Sequence, residues 1–143
     1  MRRGERTFLA FDYGTKKIGI AVGQELTSTA QALVTLRYVK NQPDWQGISK
    51  IVDEWRPDAL VVGKPLDMSG EQQEMTHAAD RFAASLQGRY HLPVYFADER
   101  LSSAEAAGML DNKKKRNKII DHIAAQLILQ TFFSEQQHQE KLD

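Results

Sequence analysis

The chain of 143 residues has no cysteine. Disulfides, thiolate zinc sites and thiol nucleophiles are therefore excluded, and the composition fits a reducing compartment. Long hydrophobic runs are also missing. None approaches the ~20 apolar residues of a membrane span. The segment Met1-Arg2-Arg3-Gly4-Glu5-Arg6 leads only into a short apolar run broken by Asp12, without the apolar core of a secretory signal. A soluble, cytoplasmic protein with no membrane partner is the expectation. An excess of charge of either sign is absent too. Lys and Arg number 19 and Asp and Glu number 19, for a formal net charge of +0. That argues against nucleic-acid binding by bulk charge, but not against a site where the charges are segregated. Histidine is sparse: His77, His91, His122 and His138 show no ligand spacing and read as surface residues.

What is present fits one domain, 1–143, able to bury roughly two thirds of its unfolded surface without a disulfide or structural zinc. No repeat or linker divides it. The polar, Gln-rich stretch 134–143 reads as a flexible tail. Charge is uneven along the chain: Lys113, Lys114, Lys115, Arg116 and Lys118 form one dense basic run, while the acids are dispersed.

Periodicity predicts the elements. Thr7 to Asp12 and Ile18 to Gly23 read as strands whose short connection makes them a hairpin, because a parallel pair needs a crossover of about a dozen residues. Ala30 to Arg37 predicts a third strand. Trp45, Ile48, Ile51, Val52 and Trp55 recur at helical spacing behind Asp44 as N-cap, with both tryptophans expected in the core. Arg56-Pro57-Asp58 ends that helix. Ala59 to Gly63 is wholly apolar and suits a strand buried on both faces. A loop to Gly70 precedes a helix over Glu71 to about Tyr90, with Met75, Ala79, Phe82 and Leu86 on one face. Pro93 to Ala97 is another strand. Ser102 and Glu105 form a capping box on a short helix to Leu110. The last helix, Asn117 to Phe133, presents Ile120, Ile123, Ala124, Leu127 and Ile128 to the core. The order β-β-β-α-β-α-β-α-α predicts an α/β fold. Its mixed central sheet has about five strands, the first of them central, with helices on both faces.

Acids stand out by position. Asp12 ends the first strand, Asp98 and Glu99 end the strand from Pro93, and Asp121 lies in the first turn of the last helix. Each alone has an ordinary explanation: a strand-end Asp forms turns, and an acid in a first helical turn suits the macrodipole. Together they differ. If the two strands run parallel near the sheet centre, their carboxyl ends share the edge where open α/β sheets bind ligands. Carboxylates converging there repel one another unless a cation neutralises them. Oxygen donors without Cys or a His pair select Mg²⁺ or Mn²⁺. Such ions can activate water and stabilise the leaving oxygen in phosphodiester cleavage.

The segment Phe11-Asp12-Tyr13-Gly14-Thr15-Lys16-Lys17-Ile18-Gly19-Ile20-Ala21 resembles the first motif of the YqgF (RuvX) family. The resemblance continues in Val62-Gly63-Lys64-Pro65-Leu66 with Gly70 and in Asp98-Glu99-Arg100-Leu101-Ser102 with Ala106. It extends through 113–121 to Ala124-Ala125 and Ile128-Leu129-Gln130, so it spans roughly residues 8 to 133. The family is described both as Holliday junction resolvases and as nucleases that mature the 5′ end of 16S ribosomal RNA. The resemblance implies a ribonuclease H-like fold and acidic metal ligands at Asp12, Glu99 and Asp121, which would be the catalytic set, with Asp98 as a fourth candidate. Resolvases of the RuvC type place an acid at the end of the fourth strand. Here that strand ends at Gly63 and the nearest acid is Asp67, so the resemblance implies that Glu99 supplies the missing carboxylate.

Around these acids, Gly14 permits a tight turn and Gly19 close backbone approach. Thr15, Lys16 and Lys17 on the hairpin, Gly63, Arg100, and Lys114, Lys115, Arg116 and Lys118 ahead of Asp121 are the candidate substrate contacts. For each phosphate neutralised, binding falls by ~0.7 to 0.9 log units per log unit of salt. The leading expectation is a nuclease of RNA acting in 5′ maturation of pre-16S ribosomal RNA, with pre-ribosomal particles among its partners, as a monomer or weak dimer. A four-way DNA junction resolvase is the alternative and needs two active sites, hence a dimer. A non-catalytic RNA- or ribosome-binding module is the second. Asp-x-Gly-Thr-Lys also resembles the phosphate loop of actin-like and heat-shock-type ATPases. Those need two such domains and a second Asp-x-Gly-Thr loop, which this chain lacks.

Overall fold

In the computed structural model, residues 5–14, 16–64, 70–98 and 123–135 are described. Five strands form one sheet: β1 (Thr7–Tyr13), β2 (Lys17–Gln24), β3 (Thr29–Arg37), β4 (Ala59–Lys64) and β5 (Val94–Asp98). Helix α1 (Trp45–Trp55) joins β3 to β4, and α2 (Gly70–Tyr90) joins β4 to β5. A last helical stretch, α3, covers 123–135. The strand order is β3-β2-β1-β4-β5. The meander β1-β2-β3 is antiparallel, and β1 pairs β4, and β4 pairs β5, in parallel. The first strand is thus central, as the short hairpin and the later crossovers predict.

Alternation along β1 divides the core in two. Leu9 and Phe11 join Ile18, Ile20 and Val22 under Ile48 of α1 and Ala79, Phe82 and Leu86 of α2. Phe8 and Ala10 face the other way, against Ile128, Leu129, Phe132 and Phe133 of α3. Ala59 to Val62 of β4 are fully buried, as a run without alternation requires when both faces are covered.

Helix ends follow local chemistry. The Asp44 carboxylate accepts from the Gly47 N–H at 3.0 Å, an N-cap. Arg56 closes α1 in the left-handed conformation, its N–H donating to Val52 at 2.8 Å. Three expectations shift. Ser134 and Glu135, expected in the tail, are helical. The preceding Phe132 and Phe133 anchor that last turn on Phe8, with ring centroids 5.3 and 5.4 Å away. Asp98 lies within β5 rather than after it. Trp45 packs on the core, but Trp55, at the end of α1, is 36% exposed. The helix expected over 102–110, the basic run 113–118 and the start of the last helix lie outside the described residues.

Candidate functional site

β1, β4 and β5 run in one direction, so their carboxyl ends lie along a single edge. Asp12 is half-buried at the end of β1, beyond the fully buried Phe11. It pairs with Gly19 of β2. On its other side the parallel pairing with β4 runs up to Phe11 and Val62, so Asp12 comes level with Gly63, which pairs in turn with Ala97. The carboxylate therefore stands between two glycines, one in each neighbouring strand. Neither flank carries a Cβ, and both glycines are buried. By alternation Asp12 projects to the face that carries Phe8, Ala10 and α3.

The turn after Asp12 is fixed from a distance. The Tyr38 hydroxyl donates to the Gly14 carbonyl at 2.5 Å, and the Tyr38 N–H donates to the Lys16 carbonyl at 3.0 Å. A Cβ added at Gly14 would stand 2.7 Å from the Lys17 carbonyl oxygen, so this turn requires glycine by space. Burial, aided by the neighbouring Tyr13 hydroxyl, raises the Tyr38 phenol well above its ordinary value of 10.0. The hydroxyl thus stays a donor at neutral and moderately alkaline pH. Tyr13 points to the opposite face from Asp12 and packs on Phe82, ring centroids 4.9 Å apart. Sequence reasoning missed Tyr38. Its partners are distant in sequence, and the one hint is its place directly after the third strand.

Of the predicted site residues, the fold brings Asp12, Lys16, Lys17 and Gly63 to this edge. Lys16 is exposed, Lys17 half-buried and Gly63 buried. The backbone of Asp98, paired with Lys64, reaches the same edge one residue past Ala97. Thr15, Glu99, Arg100, Lys114, Lys115, Arg116, Lys118 and Asp121 lie outside the described residues. Among the described residues no group of three or more His, Cys, Asp or Glu could hold a metal ion. Asp12 is a hard oxygen donor, a chemistry that fits Mg²⁺ or Mn²⁺. No helix among the described residues is long and apolar enough to cross a membrane.

Known proteins share both sequence and fold with this chain. Residues 6–135 match the family model described as RuvX, Holliday junction resolvase. A protein of Nitrosococcus oceani, named "Putative pre-16S rRNA nuclease", is 47% identical over 135 residues, covering 92% of this chain and 89% of that protein. A protein of the same name from Haemophilus ducreyi is 48% identical over 132 residues, covering 89% and 95%. Among solved structures, Thermus thermophilus RuvC in complex with a Holliday junction aligns with a TM-score of 0.55 at 16% identity, covering 93% of this chain and 96% of that one. The fowlpox virus Holliday junction resolvase aligns at 0.52 and 13%, covering 90% and 99%. At such identities the two structures speak to the fold alone, which is ribonuclease H-like.

Proposed function

The chain belongs to the RuvX family, and from that premise we propose that it is a metal-dependent nuclease acting in 5′-end maturation of pre-16S ribosomal RNA, with Asp12 as a metal ligand. The hydrolysis of phosphodiester bonds in nucleic acid follows from family and relatives together. The observation that carries the metal role is the placement of Asp12. It ends the central strand, on the edge shared with β4 and β5, between Gly19 and Gly63. Glu99 follows β5 directly in sequence, and Asp121 lies two residues before the described part of α3. Both are proposed as further ligands and members of the catalytic set, with Asp98 as a fourth.

The protein's own groups divide the work. Asp12, Glu99 and Asp121 would hold Mg²⁺ or Mn²⁺, which when bound supplies an activated water and neutralises charge on the leaving oxygen. Gly19 and Gly63 let the substrate backbone approach the carboxylates. Tyr38 and Gly14 hold the turn that carries Thr15 and Lys16 beside them. Thr15, Lys16, Lys17, Arg100, Lys114, Lys115, Arg116 and Lys118 are proposed as phosphate contacts. A cytoplasmic location and association with pre-ribosomal particles fit this task. A second reading, resolution of four-way DNA junctions, is favoured by the family's own description. Symmetric junction cleavage needs a dimer, because one chain offers one site.

One assay tests both readings. Wild type and Asp12→Asn are incubated with labelled precursor ribosomal RNA, single-stranded RNA and a DNA junction, with Mn²⁺ or with chelator. The expected outcome is RNA cleavage by wild type in Mn²⁺ only, reduced by roughly three orders of magnitude or more in Asp12→Asn. Equal cleavage by the two proteins would remove Asp12 from the site. Junction cleavage with intact RNA would replace the first reading by the second.

A further inference from the structure

Directly after Tyr38 the chain makes a two-residue hairpin. The Val39 N–H donates to the Gln42 carbonyl at 2.8 Å, and the Gln42 N–H donates back to the Val39 carbonyl at 3.1 Å. The central residues, Lys40 and Asn41, have φ of 52° and 64°. Positive φ at both is what a type I′ turn demands, and Asn or Asp followed by Gly meets that demand at least cost. Asn41 suits its place. Lys40 does not, because a long L side chain finds no local hydrogen bond in the left-handed region to offset the crowding. A residue that breaks the local rule with no local return is a candidate for function.

The hairpin is clamped at both ends. On the entry side Tyr38 holds the Gly14 and Lys16 carbonyls of the turn after Asp12. On the exit side the Trp45 N–H donates to the Pro43 carbonyl at 2.8 Å, Asp44 caps α1, and Trp45 stacks on Phe82 with ring centroids 5.5 Å apart. Residues 39–42 are all exposed, so they form a stiff tip on a fixed base. The tip follows the end of β3 where Arg37 pairs with Lys17, which is also the end of the sheet where β1 delivers Asp12. No acid occurs between residues 29 and 43, and the next, Asp44, is engaged by the Gly47 N–H. Lys16, Arg37 and Lys40, all exposed, make this corner basic in a chain whose formal net charge is +0.

We propose that the 39–42 tip is a strand-holding element in which Lys40 takes a phosphate of the nucleic acid at a distance from the point of cleavage. Asp12, Gly19 and Thr35 lie in one row across three strands, and Lys40 comes five residues after Thr35. Strands lie ~4.8 Å apart and rise ~3.3 Å per residue, so the Lys40 backbone stands roughly 15–20 Å from Asp12. That is too far to touch the reacting phosphate, so Lys40 is a positioning residue. Folding has already fixed the tip, so binding does not have to order it. The inference rests on the nuclease reading for its substrate, but its test reads binding and stability instead of cleavage.

The experiment pairs a salt titration of equilibrium binding with urea unfolding. Labelled single-stranded RNA is bound in chelator by wild type, Lys40→Asn, Lys40→Arg and Lys50→Gln, the last altering an exposed cation on α1. Asn tolerates positive φ better than Lys, so Lys40→Asn is expected to unfold at the wild-type urea midpoint or above it. The same variant is expected to bind RNA several-fold more weakly, with a log–log salt slope lower by about 0.7, the share of one phosphate contact on a single strand. Lys40→Arg should keep the slope, and Lys50→Gln should keep both slope and affinity. Weaker binding by a protein at least as stable is a combination that a purely structural role does not produce. Wild-type slope and affinity in Lys40→Asn would overturn the proposal and leave the nuclease reading standing. Weaker binding together with a lower urea midpoint would overturn it too, since Lys40 would then serve the fold. An equal loss in Lys50→Gln would overturn it by making bulk charge the cause. RNA binding with the expected Lys40 dependence but no cleavage in Mn²⁺ would support the tip and sink the nuclease reading. Failure of wild type to bind RNA would sink the tip.

Discussion

Tyr38 ties the turn beside Asp12 with its hydroxyl on Gly14 and its N–H on Lys16. Its phenol titrates above the ordinary value of 10.0 because burial disfavours the phenolate. The folded state therefore binds this proton more tightly than the unfolded chain. The resulting stability is fully present below pH 10 and is lost as pH rises toward the folded-state value. Tyr38→Phe is expected to unfold more readily than wild type at pH 7, by about 1 kcal/mol for the lost hydrogen bond. It should also lose less stability than wild type between pH 9 and 11. Urea unfolding across that range measures both, and parallel pH profiles would contradict the assignment. At this scale the sequence is half legible. Asp12 is readable because an acid ending an apolar strand is conspicuous, and Gly14 because turns need glycine. Tyr38 is not, because its importance arises from partners brought near by strand pairing.

Gly23 shows what packing adds to element prediction. It reads in sequence as the end of a strand, yet it is where α3 seats on the sheet. A Cβ there would fall 2.6 Å from Leu129 Cδ2, 2.6 Å from the Thr29 carbonyl oxygen and 3.0 Å from Phe133 Cε2. The side chains can yield, but the carbonyl belongs to the paired strand and cannot move freely. Gly23→Ala is expected to destabilise the protein by about 1–3 kcal/mol, measured by chemical denaturation. An unchanged midpoint would mean that α3 does not rest on this glycine. Element types were legible because helical and alternating periods differ, and the central place of β1 between the meander and the parallel strands followed from connection lengths. Boundaries moved where tertiary contact decided them. Ser134 and Glu135 stay helical because Phe132 and Phe133 hold the turn before them, and helical register alone does not reveal that Trp55 stays partly exposed.

Across the whole molecule, the central position of β1 makes the site a meeting point of near and distant chain. On one side β1 pairs with β2, its neighbour in sequence; on the other it pairs with β4, beyond the rest of the meander and α1. The first pairing closes a short loop and the second a long one, and closure entropy makes long-range pairing slow. The β1–β2 hairpin is therefore expected to form early and β4 to dock late. Ile20→Val should give a φ-value above about 0.5 and Val61→Ala a lower one, and the reverse ranking would contradict this order. A folding intermediate would then carry Asp12 and Gly19 in place while Gly63 is still absent. Until β4 arrives, one flank of β1 is an unpaired strand edge, open to another chain. The protein's vulnerable moment in biogenesis would thus end, and its proposed nuclease edge be completed, in one event, the docking of a strand whose run from Ala59 to Gly63 is apolar and buried.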